Sequence, residues 1–190
     1  MANEDKIKWD QKYLDNPKLL QERNPSKKLD SIIKLTTGKK ALEIACGSGR
    51  NSIFLAKNGF NIDAYDISKI ALDTLESKGY STIDTKLIDL DNFTPQIDTY
   101  NLIVQTNFLD RKLIPKLLES LKKDGLLFIE TYMNHPSNTK PNSNPEFLLQ
   151  KEELKSFVIN GFKLIDYDEF DNEATELYKM KKQSIIIQKC

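Results

Sequence analysis

An excess of charge of either sign is the first thing missing from this sequence. Lysine plus arginine number 28 and aspartate plus glutamate 28, so no overall field draws the chain to nucleic acid, and any such contact would rest on a local patch. A nucleic-acid partner is disfavoured. Cysteine is almost absent: Cys46 and Cys190 stand far apart with no CxxC or CxxH neighbour, which suggests neither a disulfide framework nor a zinc site. No metal is expected. Long hydrophobic runs are missing too, since the longest, such as GLLFI and SIII, fall far below the roughly 20 residues that span a bilayer. The start, MANEDKIKWD, lacks the basic-then-apolar order of a secretion leader. A cytoplasmic chain with no membrane partner is the expectation.

What is present from Lys40 onward is an alternation of short apolar strands with amphipathic helices, the pattern of an α/β doubly wound sheet. Strands are expected at KALEIA, FNIDAYD, DTKLIDL, TYNLIVQT, GLLFIETY, FKLIDYDE and QSIIIQK, with helices near Arg50–Asn58, Lys69–Lys78, Lys112–Lys122 and Lys151–Asn160. Ahead of the sheet, Asp5–Asn16 and Ser26–Leu35 read as two helices joined by the polar NPKLLQERNP. The length fits one domain, divided into an N-terminal helical lid, 1–37, and a core, 38–190. The asparagine- and proline-rich stretch from Asn134 to Pro145 reads as a loop.

Glycines are few, and five of the seven, Gly38, Gly59, Gly79, Gly125 and Gly161, fall between a helix and the next strand, where a left-handed cap favours them. Gly47 and Gly49 lie instead at a strand-to-helix junction, the kind of place where open α/β sheets bind ligands. The dinucleotide pattern G-x-G-x-x-G fails, because Ser52 stands where the third glycine should be, and the nucleoside-triphosphate pattern G-x-x-x-x-G-K-[ST] is absent. Asp66 ends the second strand 19 residues after Gly47 and suits the two hydroxyls of a ribose. Glu43 lies on an otherwise apolar strand, where an unpartnered carboxylate costs several kcal/mol. It calls for a cationic or donor-rich partner, which S-adenosylmethionine has and a dinucleotide does not.

The run CGxGRNSxxLAxxGFxxxAxD, here Cys46 to Asp66, resembles the first motif and following strand of class I S-adenosylmethionine-dependent methyltransferases, in the flavour of the tellurite-resistance TehB-like group. The similarity continues through IDLDNF, YNLIVQTNFLDR and LKKDGLLFIETY. It implies a Rossmann-like seven-stranded sheet, mostly parallel with an antiparallel last strand, in the order 3-2-1-4-5-7-6. The polar connection FDNEATELYKMKK fits a hairpin between the last two strands.

The resemblance also implies roles. The backbone from Ala45 through Cys46, Gly47 and Ser48 to Gly49, flanked by Arg50 and Asn51, would hold the methionine part, with Glu43 under its ammonium. Asp66 and Ile67 would meet the ribose, Asp89 and Leu90 the adenine, and the Gln105 carbonyl the ammonium. Cys46 reads as packing. Arg23, Arg50 and Arg111 are the only arginines; they either bind anions, for which a planar fork suits carboxylates, or serve as salt bridges. Trp9 and Tyr13, spaced i, i+4, either cover the cofactor or dock their helix. His135, the only histidine, reads either as a general base or as a solvated loop residue, so His135 and Arg111 are the catalytic candidates. The implied activity is methyl transfer to a small-molecule acceptor such as a thiol or a selenium or tellurium oxyanion. A cofactor-binding regulatory or scaffold protein without turnover is the competing reading; an NAD enzyme is opposed by Ser52 and Glu43.

Overall fold

The computed structural model describes residues 2–173 and 177–190. Seven strands form one sheet: β1 (Lys40–Ile44), β2 (Asn61–Asp66), β3 (Ile83–Leu87), β4 (Tyr100–Thr106), β5 (Leu121–Tyr132), β6 (Phe162–Asp171) and β7 (Lys181–Lys189). Their order is β3-β2-β1-β4-β5-β7-β6, as the resemblance implied. The first five are parallel, and β7 runs antiparallel between β5 and β6. Of the connection between β6 and β7, residues 174–176 lie outside the described residues.

The helices are α1 (Ala2–Asp15), α2 (Leu29–Leu35), α3 (Arg50–Lys57), α4 (Lys69–Glu76) and α5 (Leu113–Glu119). The central strands are apolar on both faces, as a sheet covered on both sides requires. On one face Leu29 and Ile32 of α2, Leu55 of α3 and Leu72 of α4 pack against Phe60, Val104 and Phe128. On the other, Leu113 and Leu117 of α5 join Leu149, Leu154, Ile185 and Ile187. The strand order reverses between β1 and β4, so a crevice opens at their carboxyl ends.

Three expectations need correction. The helix expected over Lys151–Asn160 is a 3-10 turn, Glu153–Phe157, because tertiary partners claim the backbone that a helix would use. Glu152 sits at φ 58 with its N–H on Glu169, and the Leu154 N–H reaches Gln183. The helix expected to Lys122 stops at Glu119, and β5 starts at Leu121 with a register shift before Leu126. Gly38 and Gly125 are absent from the left-handed set. They are small because neighbours crowd them: a Cβ would lie 2.6 Å from the Asn101 side chain and 2.8 Å from the Lys122 carbonyl, respectively.

Candidate functional site

The turn after β1 is built from backbone that side chains disfavour. Ala45, Gly47 and Gly49 have φ of 50°, 56° and 80°, in the left-handed region that suits glycine. Space is equally short: a Cβ on Gly49 would lie 2.3 Å from Leu75 of α4, and one on Gly47 2.8 Å from the Tyr13 hydroxyl. The Gly49 N–H donates to the Cys46 carbonyl at 3.0 Å, closing the turn just before α3.

Two buried carboxylates brace it. Asp66, at the end of β2, accepts from the Gly47 N–H at 2.7 Å and from the Ser68 N–H at 2.9 Å. Burial raises its pKa against the pull of those backbone donors. Glu43, on β1, is 1% exposed; it accepts from Asn51 Nδ2 at 2.8 Å and from the Ser52 hydroxyl. Burial pushes its pKa up to about 7, although Ser52, Asn51 and the Arg50 charge all oppose the rise. Ser52, which in the sequence only marks a missing glycine, is thus a direct partner of Glu43. The signal lay in its place in the first turn of α3, whose start packs over β1.

Two polar atoms at this edge are buried without a partner: Gln105 Oε1 and Arg50 Nη2. Gln105 ends β4 and spends its Nε2 on the Phe108 carbonyl at 3.0 Å; Arg50 donates from Nη1 to the Asn24 carbonyl at 3.4 Å. Gln105 points to the face that α5 covers and Arg50 starts α3 on the other, so an open acceptor and an open cationic donor flank the carboxyl edge from its two sides. Each buried orphan costs about 1–3 kcal/mol, and the pair suits a ligand that carries both an ammonium and a carboxylate. The methionine part of S-adenosylmethionine has that pair. Cys46 is buried beside them with its thiol pKa well above the usual value through burial and the Glu43 and Asp66 charges, which suits packing and not nucleophilic chemistry.

On the adenine side, Asp89 lies beyond β3 and not at its end. It caps a 3-10 turn, Leu90–Asn92, by accepting from the Asp91 N–H at 3.1 Å, while Leu90 is buried. Ile67 follows Asp66, and its backbone helps to hold that carboxylate.

The N-terminal segment lies over the turn. Asp10 of α1 accepts from the Ser68 hydroxyl at 2.6 Å and from the Ile70 N–H at 3.4 Å, so an anion sits at the start of α4, where the helix dipole favours it. Tyr13 is buried against Gly47, and its phenol pKa is raised by burial and by Asp66 while the Arg23 charge opposes the rise. Trp9 is half exposed, its ring 6.2 Å from that of Tyr13 and 4.0 Å beneath the Lys12 ammonium. Ser48 Oγ donates to the Leu19 carbonyl at 3.2 Å. Beyond it, the lining of a cleft of about 290 Å³ includes Glu22, Arg23, Ser48, Arg50, Lys57 and Lys78, with Glu22 3.5 Å from the Lys57 ammonium.

The two catalytic candidates are placed elsewhere. Arg111 forms a fork on Glu153, at 2.6 and 3.1 Å, and donates to the Glu146 and Leu148 carbonyls at 2.6 and 3.0 Å. Four of its five N–H donors are engaged, so it clamps the segment 146–153 and has little left for an anion. Replacing it with methionine should leave Glu153 Oε1 and two carbonyls without this donor, with Oε2 still held by the Gln150 N–H, and cost about 1–3 kcal/mol. A fall in thermal midpoint with cofactor affinity unchanged is the expected result. His135 Nδ1 receives the Ser137 N–H at 3.1 Å and faces the Ser137 hydroxyl at 2.7 Å. Those contacts assign the neutral ring's proton to Nε2, so the basic nitrogen is committed to its own loop.

Comparison with known proteins finds relatives by sequence and by fold. A probable S-adenosyl-L-methionine-dependent methyltransferase, TehB, of Haemophilus influenzae is 27% identical over 157 residues, covering 77% of this chain and 52% of that protein. The chain thus spans about half the length of that curated relative. The crystal structure of TehB from Haemophilus influenzae matches with a TM-score of 0.72 at 24% identity, over 85% of this chain and 61% of that one. A methyltransferase structure from Methanosarcina mazei matches at 0.67 with 17% identity, over 89% and 99% of the two chains; both structures speak for the fold. A family model described as tellurite resistance protein TehB matches residues 10–188, nearly the whole chain and the full set of strands and turns that build this site, and the protein belongs to that family.

Proposed function

We propose that this protein is an S-adenosylmethionine-dependent methyltransferase acting on a small-molecule acceptor. The observation that carries the reading is a left-handed glycine turn after β1 at a carboxyl edge where Gln105 Oε1 and Arg50 Nη2, an acceptor and a cationic donor, are buried without partners. Bound there, the cofactor supplies a methyl group already activated on a sulfonium. The chain's residues then have positioning work to do: the turn from Ala45 to Gly49 holds the methionine backbone, Glu43 and Gln105 face its ammonium, Arg50 its carboxylate, and Asp66 the ribose. Asp89 and Leu90 border the adenine. Tyr13 and Trp9 keep water from the transfer, and aligning the nucleophile supplies much of the acceleration.

The nature of the acceptor follows from what lacks support. With His135 Nδ1 tied to Ser137 and Arg111 to Glu153, the two residues first expected to handle protons or oxyanions are committed. An acceptor already anionic, such as a thiolate or a selenium or tellurium oxyanion, needs no base to attack. Arg50, which lines the cleft beside Ser48 and keeps Nη2 without a partner, is the arginine that would attract it. Titration calorimetry with S-adenosylmethionine tests the first half; absence of heat at millimolar cofactor sinks it. Turnover on a panel of thiols, selenite and tellurite tests the second, and binding without transfer to any of them favours a regulatory or scaffold role.

A further inference from the structure

Away from the turn itself, the described residues hold a connected run of buried polar groups along the carboxyl edge of the sheet. Its centre is Asn51, fully buried in the first turn of α3. Its Nδ2 donates to Glu43 Oε1 at 2.8 Å and to Thr106 Oγ1 at 3.0 Å, and its Oδ1 accepts from the Ser26 N–H at 2.9 Å. The amide thus has both its donor hydrogens and its acceptor engaged. Ser26 goes further: its hydroxyl donates to Glu130 Oε2 at 2.6 Å, while Lys182 Nζ donates to Glu130 Oε1 at 3.2 Å. Ser26, Glu130 and Lys182 are all buried, so each bond replaces water that cannot return, and the loss of one leaves a group unpaired in a low-dielectric setting.

The placement of Ser26 gives this run its meaning. It is the residue at which the segment leading from α1 turns into α2, and it is the only one of that segment to bond both a side chain of the cofactor turn's helix and a side chain of β5 among the bonds described. Glu130 pairs with Thr106 across β4 and β5 and with Ser184 across β5 and β7, so it is fixed by the sheet and cannot follow the segment if the segment leaves. When Ser26 is seated, Asn51 is held, and Asn51 in turn orients the carboxylate of Glu43.

We propose that Ser26 and Glu130 are positioning residues for the cofactor: together they lock Asn51, and through it Glu43, into binding geometry only while the N-terminal segment is seated on β5. This rests on the cofactor reading given above. Substituting Ser26→Ala removes the hydroxyl and leaves the segment's seat weakened without touching the turn. S-adenosylmethionine affinity is expected to fall about tenfold, the scale of one hydrogen bond to a charged acceptor. In the ligand-free protein, amide exchange should speed up both at residues 20–28 and at 49–53. Ser26→Thr, which keeps the hydroxyl, should return affinity to within about threefold of the parent.

A purely structural serine would lower the thermal midpoint while leaving exchange at 49–53 and cofactor affinity unchanged, and that result overturns the proposal. If the parent protein itself takes up no S-adenosylmethionine, the cofactor reading falls instead, and exchange at 49–53 in Ser26→Ala still decides the coupling. Should Ser26→Ala not fold, Glu130→Gln serves in its place, since it keeps an acceptor for the hydroxyl and removes the charge. It should weaken cofactor binding to an intermediate degree, and parent-like affinity counts against the proposal.

Discussion

Glu43→Gln should make the ligand-free protein more stable at pH 8 while abolishing its grip on S-adenosylmethionine. The carboxylate is fully buried with a pKa of about 7, against 4.5 for the free side chain. The folded chain therefore holds a proton that the unfolded chain has released between about pH 4.5 and pH 7. Folding stability contributed by this group is greatest below that window, declines across it by about 1.4 kcal/mol per pH unit, and is flat above it. The total is roughly 3 kcal/mol, held against folding at pH 8 by a single ionised side chain. Glutamine keeps the shape and removes the charge, so a gain of about 1–3 kcal/mol is expected at pH 8 and almost none at pH 4. Denaturant melts at the two pH values measure it.

Binding should move the other way. An ammonium set beside Glu43 keeps the carboxylate ionised, so cofactor affinity in the parent should rise with pH up to about 7 and then level, with a proton released on binding below that point. In Glu43→Gln the rise disappears and affinity falls by at least about a hundredfold, the scale of losing one buried charge pair. Equal affinity in parent and variant would remove Glu43 from the cofactor site. The stability gained and the function lost then come from the same atom, the signature of a residue kept for binding and not for folding.

How much of this was visible in the sequence differs by element. The strands were legible because a sheet buried on both faces writes itself as apolar runs, their order was legible only through the family resemblance, and the turn after β1 was legible because close backbone approach demands glycine at fixed spacing. Glu43 stood out as a charge where the pattern required none. Arg111 and His135 kept two readings each for one reason: their partners decide their roles, and those partners lie where chain position says little. Glu153 is 42 residues from Arg111, and the bond between Ser137 and His135 depends on the local turn. Ser26, Glu130 and Lys182 gave no signal at all, since a serine, a strand glutamate and a strand lysine are ordinary until the fold brings residues 104 and 52 positions apart into one hydrogen-bonded run. The 3-10 turn at Glu153–Phe157 is the same effect in the backbone, where long-range hydrogen bonds overrode local propensity.

Gly49→Ala is expected to cause the largest loss of stability of any single methyl group added to this chain's turn. Two independent terms add. At φ 80 a Cβ strains the backbone by about 1–2 kcal/mol, and that Cβ would meet Leu75 Cδ1 at 2.3 Å and Cδ2 at 2.7 Å, in a core where overpacking costs about 1–3 kcal/mol more. A combined loss of about 2–5 kcal/mol follows, enough to unfold a marginal domain. The two terms separate in a second background. Leu75→Ala alone opens a cavity and is itself destabilising by about 2–5 kcal/mol, but it removes the clash, so adding Gly49→Ala on top should cost only the backbone strain of about 1–2 kcal/mol. Full additivity of the two substitutions would show that contact with Leu75 plays no part. Gly47→Ala provides the contrast, because its Cβ would meet the Tyr13 hydroxyl at 2.8 Å and not the core. There the helix α1 can yield, so the expected result is lost amide protection over Ala2–Asp15 with the sheet intact, relieved in part by Tyr13→Phe. One glycine thus answers to the packing of the sheet's helices and the other to α1, and the turn after β1 is the place where both demands meet.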